Sequence, residues 1–434
     1  MGIMTKTRNV FIESTFILII SGFLTKIIGF IIRIIYTRII GPYGISLYTI
    51  ATPTYSLLLT ISTLSIPVAI SKLVAETKER SIRILTSATA IILIINFILI
   101  IATILFSEFL ATNLLKEPKA MPILIAMALT LPFISISSVL KGYFAGKQNL
   151  LPHATSNVIE QIVRLVIITL ILPILMQKDV MYAVIGLILL TIISEISSII
   201  VFFFFLPKKI HFKNYNIKPN KIITKDILDI SIPTVSGRII GNIGYFFEPI
   251  ILTNLLLLSG YPNSYILAEY GSYNAYSLSL LTMPSFFIAA ISTSLLPELS
   301  RFNSRGEKNM VKRRIKQGLL FALFIGFGFS AVIFIFRDQL LFTLYKTTSG
   351  SDYIKILAPF FVLFYLEGVL TSSLQALGKA KITMKISLWG VIIKLIILSL
   401  FSLFKIGLYS LVISEIINIL FVVFTNLYYL KKAL

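Results

Sequence analysis

The chain has 434 residues, 57% apolar and 13% charged, with a net charge of +21, a mean hydropathy of +0.94 and no cysteine. Soluble domains are about 45–50% apolar and about 25% charged, so a soluble globular enzyme and a disordered chain are both excluded. Without cysteine there is no disulfide, thiolate nucleophile or common zinc site; the two histidines, His153 and His211, stand apart, and no G-x-x-x-x-G-K-[ST] phosphate loop occurs.

A helix that crosses a bilayer takes about 20 predominantly apolar residues. On that measure the chain divides into twelve predicted spans, at 11–36, 44–71, 84–107, 120–140, 153–177, 180–206, 226–257, 267–297, 317–336, 354–376, 382–404 and 407–430. Uncharged runs are long and regular: 24 residues separate Arg83 from Glu108, 21 separate Lys119 from Lys141, 28 separate Glu269 from Glu298, and 20 separate Lys316 from Arg337. These runs are solid rather than alternating, which excludes a closed β-barrel. The fold class expected is therefore an all-α membrane protein. The first span runs on through Lys26 and Arg33 with no small-residue cleavage site behind it, so it reads as a span and not a signal peptide. The aromatic run Phe202–Phe205 reads as lipid-facing bulk at the end of the sixth span.

Lysine and arginine in the connections set orientation. With the N-terminus inside, inner segments hold 26 basic residues, among them Lys6, Arg8, Lys78, Arg80 and the stretch Arg301–Lys316; outer segments hold 8. Both ends are expected in the cytoplasm, which requires an even number of spans. The basic stretch 207–225 is the one clear linker, and it separates a six-helix lobe at 1–206 from another at 226–434. The halves echo each other in order. Lys26-Ile-Ile-Gly29 returns as Arg238-Ile-Ile-Gly241, Pro53 and Pro67 as Pro284 and Pro297, Val139–Leu165 as Val369–Leu395, and Ile193-Ser-Glu-Ile196 as Ile413-Ser-Glu-Ile416. Two six-span halves of like orientation are parallel repeats, the sequence form of an alternating-access transporter with its cavity between the lobes.

An ionisable group inside a span costs at least about 2.5–3.5 kcal/mol on insertion scales, so it faces a wet cavity or a partner. The basic set is Lys26, Arg33, Arg164, Arg238 and Lys394. Lys26 and Arg33 are seven residues apart and share a helix face, and Arg238 holds the place of Lys26 in the second half. The three suit a diphosphate, lysine as a point charge and arginine as a fork; the plain alternative is that they snorkel to an interface. Glu160 and Arg164 are four apart and read as an internal ion pair. Lys394, the counterpart of Arg164, has no acid four residues before it and reads as either a lone cavity charge or a snorkeller. Glu195 and Glu415 are repeat-related, which points to structure or to coupling. With Glu160, Glu248, Glu269 and Glu367 they form the candidate coupling carboxylates. No cofactor or metal site is expected beyond a coupling cation, Na+ or H+. Prolines in and at the ends of the spans should bend helices.

The strings GFLTKIIGFIIRIIYTRIIGPYGISLY (22–48), PVAISKLVAE (67–76) and LKGYFAGKQNLLPHATSNVIEQIVR (140–164) resemble the multidrug/oligosaccharidyl-lipid/polysaccharide (MOP) exporter superfamily, and most of all its polysaccharide-transport and sporulation branch, related to the lipid II flippases. The resemblance covers nearly all of the chain. It implies a non-enzymatic flippase or exporter of the bacterial cytoplasmic membrane that moves an undecaprenyl-pyrophosphate-linked saccharide outward for cell-wall or polysaccharide synthesis. By the motif around the first-helix glycine, Lys26 falls on a basic position that meets pyrophosphate in lipid II-type flippases, Ile32 falls where a second arginine is expected, and Arg33 falls on the neighbouring acidic position. Expected partners are the lipid-linked saccharide and membrane lipids, not nucleic acid, and a monomer is the working expectation. The rival within the superfamily is a cation-coupled multidrug exporter, which needs cavity carboxylates and tolerates loss of Lys26 and Arg33. A membrane glycosyltransferase is disfavoured, because the outer acids Asp179, Asp338 and Asp352 stand alone.

Overall fold

A computed structural model describes residues 2–77, 81–206 and 219–434, with side chains from Ile20 onward. Lys78, Arg80, His211, linker residues 207–218 and the side chains of Lys6 and Arg8 lie outside the described residues. The described chain is almost entirely helical. The helices are α1 (Gly2–Thr63), α2 (Ile66–Glu76), α3 (Ser81–Glu108), α4 (Ala120–Gly146), α5 (Leu151–Met176), α6 (Val180–Phe205), α7 (Lys221–Leu258), α8 (Asn263–Gly271), α9 (Ser279–Thr282), α10 (Ser285–Ser304), α11 (Lys308–Ile335), α12 (Arg337–Tyr345), α13 (Ser351–Ala376), α14 (Ala380–Ser402) and α15 (Tyr409–Ala433). Two π-helical turns, Phe109–Leu114 and Ser272–Leu278, extend α3 and join α8 to α9.

Among the described residues, ten stretches are long and apolar enough to cross a membrane, and the pair Asn263–Thr282 and Ser285–Ser304, bent by 50°, makes an eleventh. One of the ten, Ile20–Glu76, has 57 residues. At 1.5 Å per residue it would be about 85 Å long, more than twice a bilayer core of about 30 Å. It is in fact broken at Gly41, where φ is 68° and ψ 179°. That left-handed backbone suits glycine, and Pro42 then contributes no N–H. Counting the break, the spans number twelve.

Two expectations are corrected in detail. The eighth span is not continuous, because the helix stops at Met283–Pro284 and restarts at Ser285. Phe202 is not lipid-facing: it is fully buried and stacks on Phe144 with ring centroids 5.3 Å apart, while Phe203 and Phe204 are exposed.

The contacts divide the chain into two compact units, 1–44 with 51–242, and 45–50 with 243–434. In the first unit the core is built from α2, α3 and α4, with Phe202 of α6 and Ile223 and Ile227 of α7 packed into it. The α2–α4 contact depends on Gly142, where a Cβ would stand 2.6 Å from the Pro67 carbonyl oxygen. Exposed Ile94, Phe97, Ile98, Ile101 and Leu105 form one stripe on α3, and buried Asn96, Thr103 and Ser107 form another. This inversion, apolar outside and polar inside, is what a helix facing lipid needs. Ser62 of α1 joins Asn96 at 2.7 Å and Ser135 of α4 at 2.5 Å, the interhelical hydrogen bonding that holds helices together where lipid supplies no hydrophobic drive. The boundary inside α7 puts Arg238 with the first unit.

Candidate functional site

In the first unit, Lys26, Gly29 and Arg33 recur at three- and four-residue spacing and so lie on one face of α1. Gly29 brings that face to α5, since a Cβ there would lie 3.7 Å from Oε1 of Gln161. Lys26 is exposed and makes no ion pair or hydrogen bond among the described residues; Arg33 is half-buried. Tyr36, one turn on, lies within electrostatic range of both Arg33 and Arg164. Arg238 on α7 is exposed.

Beside this face lies a four-membered charge cluster. Arg164 Nη2 stands 3.0 Å from Glu160 Oε1 and 3.6 Å from Glu195 Oε1, and its Nε donates to Ser194 Oγ at 3.1 Å. Lys141 Nζ reaches the other oxygen of Glu160 at 3.3 Å, and Gln161 Nε2 donates to Glu160 Oε1 at 3.4 Å. The internal pairing of Glu160 with Arg164 is present as expected from their spacing. Sequence reasoning missed Lys141, which looked like one of several inner-loop lysines; the 19-residue interval to Glu160 carries no helical signal. Two cations and two acids balance here, whereas Lys26 and Arg238, of the basic residues within the predicted spans, have no ion pair among the described residues.

The second unit has its own cluster. Lys394 Nζ on α14 lies 2.7 Å from Glu248 Oε2 of α7 and 2.5 Å from Glu415 Oε2 of α15, and Tyr270 donates to Glu248 Oε1 at 3.4 Å. Lys394 is thus neither a lone charge nor a snorkeller. Its partners come from other helices, so no four-residue spacing announced them. Arg164 and Lys394, matched in the sequence repeat, each meet an acid of the ISEI string, Glu195 and Glu415. Glu269 accepts a hydrogen bond from the Tyr353 hydroxyl. Glu367 on α13 has no ion pair or hydrogen bond among the described residues and lines a cavity of about 550 Å3 beside α10. Glu248 and Glu415 thus set two acids against the one ammonium of Lys394.

The sequence matches the family described as "Polysaccharide biosynthesis protein" over residues 11–303, and "MatE" over residues 249–400. It is 35% identical over 398 residues to Stage V sporulation protein B of Bacillus subtilis (strain 168), covering 89% of this chain and 77% of that one. Lipid II flippase MurJ of the same organism is 22% identical, with 89% and 76% covered. Among solved structures, an inward-facing multidrug resistance MATE family transporter of the MOP superfamily superposes with TM-score 0.74 at 16% identity, covering 94% of this chain and 96% of that one. Lipid II flippase MurJ in an inward closed conformation gives TM-score 0.71 at 16% identity, covering 95% and 87%.

Proposed function

Because the chain belongs to the polysaccharide biosynthesis protein family of the MOP superfamily and is a multi-span membrane transporter rather than an enzyme, we propose that it flips an undecaprenyl-pyrophosphate-linked saccharide to the outer leaflet of a bacterial cytoplasmic membrane by alternating access. The observation that carries this reading is the α1 face of Lys26 and Arg33, with an exposed ammonium that has no acid partner among the described residues. A pyrophosphate entering from the inner leaflet exchanges hydration for Lys26, Arg33 and Arg238, while its polyprenyl tail stays in lipid. Arg164 and Lys394 are already held by acids, so they join the substrate only if those acids let go. Protonation or cation binding at Glu160, Glu195, Glu248 or Glu415 loosens that hold, which is how a gradient would bias the cycle; Glu269 is a further candidate for coupling. Some bias is required, because a carrier with equal affinity on both sides moves nothing.

The second reading is a cation-coupled multidrug exporter, supported by the MatE match at 249–400 and by the two carboxylates, Glu248 and Glu415, held on the single ammonium of Lys394. The two part on one experiment. In proteoliposomes carrying a labelled undecaprenyl-pyrophosphate saccharide, Lys26→Ala and Arg33→Ala should each slow outward movement at least tenfold, with thermal stability unchanged. Full transport in both variants overturns the flippase reading.

A further inference from the structure

The cavity beside Glu367 lies wholly within the second unit, between α10 and α13. Its volume, about 550 Å3, falls in the range of roughly 300–1,000 Å3 common to small-ligand pockets. Three of its polar groups have nothing to bond to among the described residues: the Glu367 carboxylate and the buried hydroxyl oxygens of Ser285 and Ser292. Buried polar groups normally have partners, and the half-buried Glu367 beside these two hydroxyls has no counter-ion among the described residues. In the repeat, the place of Lys141, which neutralises an acid in the first unit, is taken by Thr371, which lines this cavity without supplying charge.

The spacing of these groups limits the ligand. Gly368 sets Ser292 at the level of Glu367, since a Cβ at 368 would lie 3.0 Å from Ser292 Oγ. Ser285 is seven residues away along the same helix face, about 10 Å. One ammonium or alkali ion cannot reach both levels. An acyl chain fills the apolar wall around Phe364 but leaves all three polar groups unsatisfied. An extended, uncharged, hydroxyl-rich ligand meets every requirement: a pair of neighbouring hydroxyls donates to the two oxygens of Glu367, further hydroxyls bond Ser285 and Ser292, and Gln375 offers both a donor and an acceptor.

We propose that the slot between α10 and α13 is a saccharide subsite, in which Glu367, Ser285 and Ser292 bind the hydroxyls of the sugar portion of the transported lipid. The proposal rests on the flippase reading and adds to it a site separate from the cationic face of α1. The test is binding to the purified full-length protein, by native mass spectrometry, of undecaprenyl pyrophosphate carrying no sugar, one N-acetylhexosamine or two. Affinity should rise at least tenfold from the bare lipid to the disaccharide form. Glu367→Gln and Ser292→Ala should erase that increment and leave affinity for the bare lipid unchanged, whereas Lys26→Ala should weaken all three lipids alike. Affinity independent of sugar number, an equal loss for all three lipids in the Glu367 and Ser292 variants, or an acyl chain found in the slot overturns the subsite and leaves the flippase reading standing. Failure of all three lipids to bind overturns both.

Discussion

A lysine ammonium held by two carboxylates on other helices is a charge that the fold has paired rather than one the bilayer tolerates. Breaking a buried pair by removing one partner costs about 3–5 kcal/mol, because the survivors are left charged and dry. Lys394→Met should therefore destabilise the protein by about that much, since it leaves Glu248 and Glu415 facing each other. The triple variant Lys394→Met, Glu248→Gln, Glu415→Gln carries no charge at the cluster and should recover most of the loss. Thermal unfolding in detergent measures both, and a single variant as stable as wild type would show that the lysine is solvated and not clamped. How far such pairs can be read from sequence depends on distance along the chain. Glu160 and Arg164 share one helix, so their spacing gave the pair; the partners of Lys394 and Lys141 are supplied by tertiary packing, to which periodicity is blind. The empty-handed hydroxyls of Ser285 and Ser292 were illegible for the same reason, being two serines in a chain rich in them.

Helices were the most legible level. A run of about 20 predominantly apolar residues leaves the backbone no option but to satisfy itself internally, so apolar length located the spans, including those that carry one or two charges. The breaks were harder. At Leu64–Ser65 both residues take positive φ, 47° and 52°, and α2 starts anew behind them; neither residue type advertises that conformation. Helix contacts are set by small residues, and this can be tested at α2–α4. Gly142→Ala places a methyl group 2.6 Å from backbone oxygen of Pro67, which cannot rotate aside. The helices must separate, at a cost of about 1–3 kcal/mol typical of overpacking. The expected result is a lowered melting temperature, and Gly22→Ala, where no atom lies within 4 Å, serves as the neutral control. Equal melting of the two variants would mean that α2 and α4 have slack at this crossing.

At the scale of the whole molecule, the sequence distributes charge in two ways that serve different ends. Inside the spans, the first unit carries the cationic face of α1 and the second sets Glu248 and Glu415 against the single ammonium of Lys394, a difference that, on the proposed function, draws an anionic head group to the first. Outside the spans, 26 basic residues against 8 are the ground for expecting both termini and the basic connections on the inner side. Because the chain has no cysteine, single cysteines report their own position without background. Thr348→Cys, exposed in the turn before α13, should react with a membrane-impermeant maleimide in intact cells. Asn303→Cys, exposed near the end of α10 in the basic connection, should react only after the membrane is opened. The reverse pattern would turn the molecule over. The α1 face proposed to take a pyrophosphate from the inner leaflet would then have to be loaded from the opposite side.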